Sequence, residues 1–337
     1  MSVAGTGKEP SPQEPLLDVR GLVVDYAANG RRVRALDEAS LSVPAGGTVG
    51  VVGESGSGKS TLGAAVGRLL PPSAERVGGT VRVAGAPVFE LAPATLRRMR
   101  RERLGMVFQD PVASLDPTKR IGAQLRLVLG RRADKRVLAS HLERVRLRDP
   151  REVARAYPHQ LSGGMAQRVA IAMAMAAGPE LLVADEPTAA LDAQVREEVL
   201  DVVFSLAADA GTAIVWLSHD LAAVARRCAR VAVMYGGRVV EDGPAGQVLT
   251  RPAHPYTAAL ARSAPARAGH GARLEPVPGR PPTLTGPSPG CAFAPRCAFA
   301  VERCDRERPE PVRVDGRDVL CHRVGELPFT EPEEVTA

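Results

Sequence analysis

The sequence predicts an α/β fold: a parallel sheet with crossover helices, interrupted by a helical insertion and followed by a cysteine-containing extension. Three observations carry that expectation. Apolar runs alternate with helical patterns: Leu181–Ala184, Ala213–Leu217 and Arg230–Met234 read as strands, Ala193–Ala208 and Leu221–Cys228 as the helices between them. The Ala-, Leu- and Arg-rich stretch at about 118–178 breaks the alternation, as an inserted helical subdomain would. Near Arg251 the composition shifts; residues 264–290 are rich in Pro and Gly, and four of the five cysteines follow within Cys291–Cys321. These shifts divide the chain into 1–15, 16–250 and 251–337.

Residues 1–15 are polar, contain Pro and read as a disordered N-terminus. Leu22-Val23-Val24 and Ala39–Val43 read as strands, with Asn29-Gly30 as a turn between them. Thr48–Val52 is a short β-branched strand. Lys59–Leu70 has helical periodicity and is stopped by Pro71-Pro72. Thr80–Val83 and Leu104–Phe108 read as further strands.

A length of 337 residues allows one large domain with an appendage, or two modest domains. An apolar fraction of 45% with 24% charged residues excludes global disorder. No apolar run approaches the roughly 20 residues of a membrane-spanning helix. Met1–Pro15 lacks a signal-peptide pattern, so neither feature is expected. All but four of the 44 basic residues are arginine, and the net charge is +6. That charge permits nucleic-acid binding, but the one dense basic block, Arg97–Arg103, has no interleaved aromatics. It reads as a solvated helix face, and no nucleic-acid partner is expected.

The strongest chemical signal is Gly53-Glu54-Ser55-Gly56-Ser57-Gly58-Lys59-Ser60, followed by Thr61. It fits G-x-x-x-x-G-K-[ST], after a strand and opening a helix. Glycines let backbone N–H groups close on phosphate oxygens, and the helix dipole adds positive potential. Lys59 supplies a point charge to the β- and γ-phosphates; the Ser60 hydroxyl ligates Mg²⁺. Leu181–Ala184 followed by Asp185-Glu186 is a buried strand ending in acids. Asp185 would hold Mg²⁺, and Glu186 would polarise the attacking water as general base. This pattern resembles the phosphate and Mg²⁺ site of a P-loop NTPase.

Leu161-Ser162-Gly163-Gly164-Met165 lies about 20 residues before Asp185. With it, the sequence resembles the nucleotide-binding subunit of an ATP-binding cassette (ABC) transporter. The resemblance implies a RecA-like parallel sheet core with antiparallel β and an inserted helical subdomain. It implies two subunits paired head to tail, with Ser162, Gly163, Gly164 and Met165 of one covering the γ-phosphate held by the other. Gln109 matches a residue sensing Mg²⁺ and the attacking water, so Ser60, Gln109 and Asp185 form the implied Mg²⁺ set. His219 matches the switch histidine, completing a catalytic group of Lys59, Gln109, Glu186 and His219. Leu191 and Asp192, after Ala190, match a dimer-interface loop. Tyr26 matches an aromatic that stacks on adenine, with simple packing as its plain alternative.

Met165 departs from the glutamine of many members. Followed by Gln167-Arg168-Val169, it is similar to the dipeptide/oligopeptide branch. So are Gln109-Asp110-Pro111, Ser114–Pro117, His254-Pro255-Tyr256-Thr257 and Pro295-Arg296-Cys297. The resemblance implies the ATP-hydrolysing motor of a peptide importer, with nickel or another small solute as the alternative cargo. A soluble non-transport cassette ATPase is the less favoured class. The implied partners are a second, different ATPase subunit rather than an identical copy, two transmembrane permeases and an extracytoplasmic solute-binding protein. The implied location is peripheral, on the cytoplasmic face of the cell membrane.

The cysteines are spaced Cys291-x5-Cys297-x6-Cys304-x16-Cys321. In a reducing compartment thiolate ligation is favoured over disulfides. The spacing lacks the tight C-x2-C knuckles of zinc sites. The resembling branch includes members with a [4Fe–4S] cluster here, which makes Cys291, Cys297, Cys304 and Cys321 its implied ligands. Zinc and free thiols stay open, and His322 is a neighbour or a substitute ligand. Cys228 stands alone and reads as packing.

Overall fold

The computed structural model describes residues 14–326, apart from Asn29, Arg131, Arg132, Ala190 and 264–275. Nearly all of the expected disordered N-terminus, Asn29 of the expected turn, and Ala190 lie outside the described residues.

Two sheets form the frame. Strands β1 (Leu17–Ala28) and β2 (Arg31–Val43) pair antiparallel, from Leu17 opposite Val43 to Ala28 opposite Arg31. After β3 (Thr48–Val52) and α1 (Lys59–Val66), β4 (Ala74–Val83) pairs with β1 and β5 (Ala86–Pro87) with β4. The small sheet is thus ordered β2-β1-β4-β5. The strand expected from Thr80 begins earlier, at Ala74 of β4. Gly78 and Gly79 break the alternation there, and at Gly79 a Cβ would lie 2.3 Å from the Gly21 carbonyl oxygen.

The main sheet adds β6 (Leu104–Val107) after α2 (Pro93–Glu102), then β7 (Leu181–Asp185), β8 (Ala213–Ser218), β9 (Arg230–Tyr235) and β10 (Arg238–Pro244). Its order is β11-β12-β10-β9-β3-β8-β7-β6, with β11 (Val312–Val314) and β12 (Arg317–Val319) from the tail. β9, β3, β8, β7 and β6 run parallel. Parallel strands are covered on both faces, so β8 is buried throughout. Alternate residues of β7 serve opposite cores: Leu182 and Ala184 face one cluster, Leu181 and Val183 the other.

The helical insertion holds α3 (Ile121–Leu129), α4 (Lys135–Arg144), α5 (Pro150–Val153) and α6 (Gly163–Met175). α7 (Ala193–Ala210) and α8 (Leu221–Arg227) are the crossovers, each started by an aspartate cap, Asp192 and Asp220. α1 ends four residues before the expected Leu70. Gly67 caps it and Arg68 takes a φ of +51°, so the chain leaves the helix before Pro71 is reached. Beyond residue 250 the tail continues the sheet rather than leaving it. After α9 (Ala245–Thr250) come α10 (Pro255–Arg262) and α11 (Glu302–Arg306); Tyr256, Leu260, Ala261 and Phe293 share one core with β8 and β9. Among the described residues, no helix is long and apolar enough to cross a membrane.

Candidate active site

Four parallel strands end on one side of the sheet, and their last residues or following loops carry the candidate chemistry. The glycine loop after β3 turns through Gly56 and Gly58 at φ +80° and +105°. At Gly58 a Cβ would stand 2.6 Å from the Ala35 carbonyl oxygen, so a side chain is excluded as well as strained. Lys59 opens α1, buried, with its ammonium donating to the carbonyls of Gly53 (2.7 Å) and Glu54 (2.9 Å). Burial lowers its pKa; the carboxylates of Glu186, Asp185 and Glu54 oppose that shift.

Asp185 closes β7, where its carboxylate accepts the Ser60 hydroxyl at 3.1 Å. Burial raises the Asp185 pKa, against the Ser60 hydrogen bond. Two adjacent oxygen donors of this kind suit Mg²⁺, and phosphate and water would complete its coordination. Glu186 follows with φ +43°, a strained conformation for a non-glycine residue. Its amide donates to the Leu217 carbonyl at 2.9 Å, and its carboxylate lies 3.4 Å from His219 Nδ1. Gln109, exposed after β6, completes the arc. Ser55–Thr61, Gln109, Glu186 and His219 line one cavity of about 670 Å³. Tyr26 is not among its lining residues; its hydroxyl lies 3.3 Å from Thr61 Oγ1 and its ring packs on the small-sheet core.

Ser162 caps α6, accepting the Met165 amide at 3.3 Å. Ser162–Met165 line a different cavity of about 910 Å³, together with Leu191 and Asp192. Within this chain these residues share no cavity with the phosphate loop.

The opposite wall of the phosphate cavity is not legible in the sequence. It consists of Val33–Ala35 and of Pro281, Pro282, Thr283 and Leu284 from the tail. The composition of that Pro-rich stretch reads as part of a linker, and nothing in it marks a wall.

Cys291, Cys297, Cys304 and Cys321 line one small void with His254, Phe293 and His322, so the grouping of the four thiols holds in space. Burial raises the thiol pKa values of Cys291, Cys297 and Cys321, and neighbouring cysteines add to each rise. The donor set suits thiolate ligation, but the geometry does not hold the expected [4Fe–4S] cluster. The void measures about 20 Å³, room for about one water. No group of three or more His, Cys, Asp or Glu among the described residues is disposed to hold a metal ion. Cys228 is buried at the end of α8.

The loop, the lysine and the acidic strand end converge, and that convergence is the arrangement of a P-loop nucleoside triphosphatase. Residues 36–189 match the family described as "ABC transporter", and residues 240–304 the one described as "Oligopeptide/dipeptide transporter, C-terminal region". A probable peptide ABC transporter ATP-binding protein of Sinorhizobium fredii is 41% identical over 93% of this chain and 96% of its own length. The oligopeptide transport ATP-binding protein OppD of Salmonella typhimurium is 39% identical, over 96% of this chain and 98% of its own. A dimeric ATP-binding cassette, solved in a post-hydrolysis state with ADP and Pi, superposes with a TM-score of 0.60 at 30% identity. It covers 68% of this chain and 98% of its own. The chain belongs to the ATP-binding subunits of the ABC transporter family, in the oligopeptide/dipeptide group.

Proposed function

We infer that this ATPase drives the import of peptides through a membrane permease. One observation carries the reading: a full phosphate site and an oligopeptide/dipeptide transporter C-terminal region share one sheet and one core. In this reading Lys59 exchanges its loop carbonyls for the β- and γ-phosphates. Ser60 and Asp185 hold Mg²⁺, with Gln109 beside them. Glu186 takes the proton from the attacking water, and His219, in contact with Glu186, orients it. Tyr26 would meet the adenine. Ser162, Gly163, Gly164 and Met165 would act on the ATP of a second subunit, with Leu191 and Asp192 at the contact.

That second subunit is a different ATPase chain, and the pair sits on two permeases at the cytoplasmic face, served by an extracytoplasmic solute-binding protein. The test is affinity capture of the chain from its own membranes, with mass spectrometry of the co-purified proteins. Two polytopic permeases, a second ATPase and a peptide-binding protein support the reading. A nickel- or sugar-binding protein changes the cargo. Recovery only from the soluble fraction overturns transport. The thiols carry no step of this reading, and the [4Fe–4S] cluster expected of them does not fit the void they line. Anaerobic purification with iron, sulfide and zinc analysis decides between that cluster, zinc and free thiols.

A further inference from the structure

The tail grips the phosphate loop itself. Arg296 is almost fully buried, and its guanidinium meets the Glu54 carboxylate as a fork: Nη1 to Oε2 at 2.7 Å and Nη2 to Oε1 at 3.1 Å. Nη1 also donates to the Tyr235 hydroxyl at 3.2 Å, Nη2 to the Val277 carbonyl at 3.2 Å, and Nε to the Pro278 carbonyl. All five guanidinium donors are used. A second tail residue, Tyr256, accepts the Glu54 amide on its hydroxyl at 2.8 Å. The Glu54 carbonyl accepts Lys59, so side chain, amide and carbonyl of this one loop residue are all fixed. Pro281–Leu284 wall the same cavity, fastened to β2 where the Leu284 carbonyl accepts the Arg34 amide at 2.8 Å.

Glu54 is the only carboxylate between Gly53 and Thr61. Left unpaired, it would repel the polyanion that the loop binds and would free the loop to move. A bidentate arginine cancels the charge and sets the geometry together, which a lysine does not. We propose that Arg296 is a positioning residue for ATP: acting through Glu54, it holds the phosphate loop in its binding shape and neutralises its carboxylate. The tail is then a working part of the nucleotide site. The inference rests on the assignment of Gly53–Thr61 as that site.

The test uses the full chain with Mg-ATP, measuring nucleotide affinity together with the KM and kcat of hydrolysis. Arg296→Ala should weaken ATP binding and raise KM about tenfold, the scale of one charge-assisted hydrogen bond, with kcat within about twofold. Arg296→Lys should recover only part of the loss. Adding Glu54→Gln to Arg296→Ala should cost nothing further and should regain affinity, because the stranded charge is gone. Should Arg296→Ala melt early, Arg296→Met with Glu54→Gln gives an uncharged pair of similar size for the same comparison. Wild-type affinity in Arg296→Ala, or losses from Arg296→Ala and Glu54→Gln that multiply, overturn the proposal. A wild-type chain that binds ATP no better than Lys59→Ala instead overturns the site assignment beneath it.

Discussion

Removing the Arg317 guanidinium should loosen the tail from the main sheet by a calculable amount. Glu241 on β10 is fully buried, and its carboxylate accepts the amides of Ala253 (2.9 and 3.1 Å) and His254 (2.9 Å). Arg317 on β12 is its cationic partner at 3.2 Å, and also donates to the Arg251 carbonyl. Arg317→Ala leaves a buried carboxylate without a counter-charge, which costs about 3–5 kcal/mol. Unfolding entropy is about 2.1 cal/mol/K per residue, so a chain of 337 residues loses about 4–7 °C in Tm.

The loss should depend on pH with a definite sign. Burial raises the Glu241 pKa, outweighing the Ala253 and His254 amides, the Thr257 hydroxyl and Arg317. A carboxyl raised in the folded state adds stability at low pH, and that stability fades as pH rises through its folded value. Without Arg317 the folded value climbs further. The gap between wild type and variant is therefore widest at pH 8 and narrows toward the ordinary carboxylate range, where a protonated Glu241 needs no cation. Scanning calorimetry at pH 8 and pH 5 measures both. An unchanged Tm, or an equal gap at the two pH values, refutes the reasoning.

Glu186→Gln should cut phosphate release by about 10²–10⁴-fold while nucleotide binding persists; normal turnover removes Glu186 as the base. Gly50→Ala places a Cβ 1.8 Å from Val224 Cγ1, so α8 must lift from β3. It should cost at least about 1–3 kcal/mol, and a wild-type melting curve would show that the contact yields freely. Burial pushes the Cys228 thiol up to about 12, so iodoacetamide at pH 8 should spare it in the native chain and label it after denaturation. Rapid native labelling, read by peptide mass spectrometry, would contradict its packing role.

How far the sequence reveals each feature depends on how locally that feature is encoded. β3, β7 and β8 are apolar runs buried on both faces, so their bounds are legible to within a residue. The phosphate loop is legible because its glycines, lysine and serine are adjacent, and Asp185-Glu186 because they end such a run. β11 and β12 are not, since three residues cannot display a period. The Arg296–Glu54 fork joins positions 242 residues apart, and although each lies in a local motif, nothing local says that the two pair. The cysteine spacing does foreshadow a spatial group, but spacing says nothing of the space left between sulfurs. The end of α1 falls earlier than the sequence suggests because Pro71 is the more conspicuous breaker, while Gly67 acts first.

The pairing of β12 with β10 has a consequence for synthesis on the ribosome. β10 can join β9 as soon as their tight turn emerges, but its outer edge stays open until Arg317–Val319 arrive. Roughly 70 residues separate Pro244 from Arg317, about 4–14 s of translation at 5–20 residues per second. During that interval the nascent sheet offers a bare row of backbone donors and acceptors to any neighbouring chain. A slow codon run or a stalled ribosome after residue 250 would prolong the exposure. A chaperone that shields sheet edges would matter most in that window.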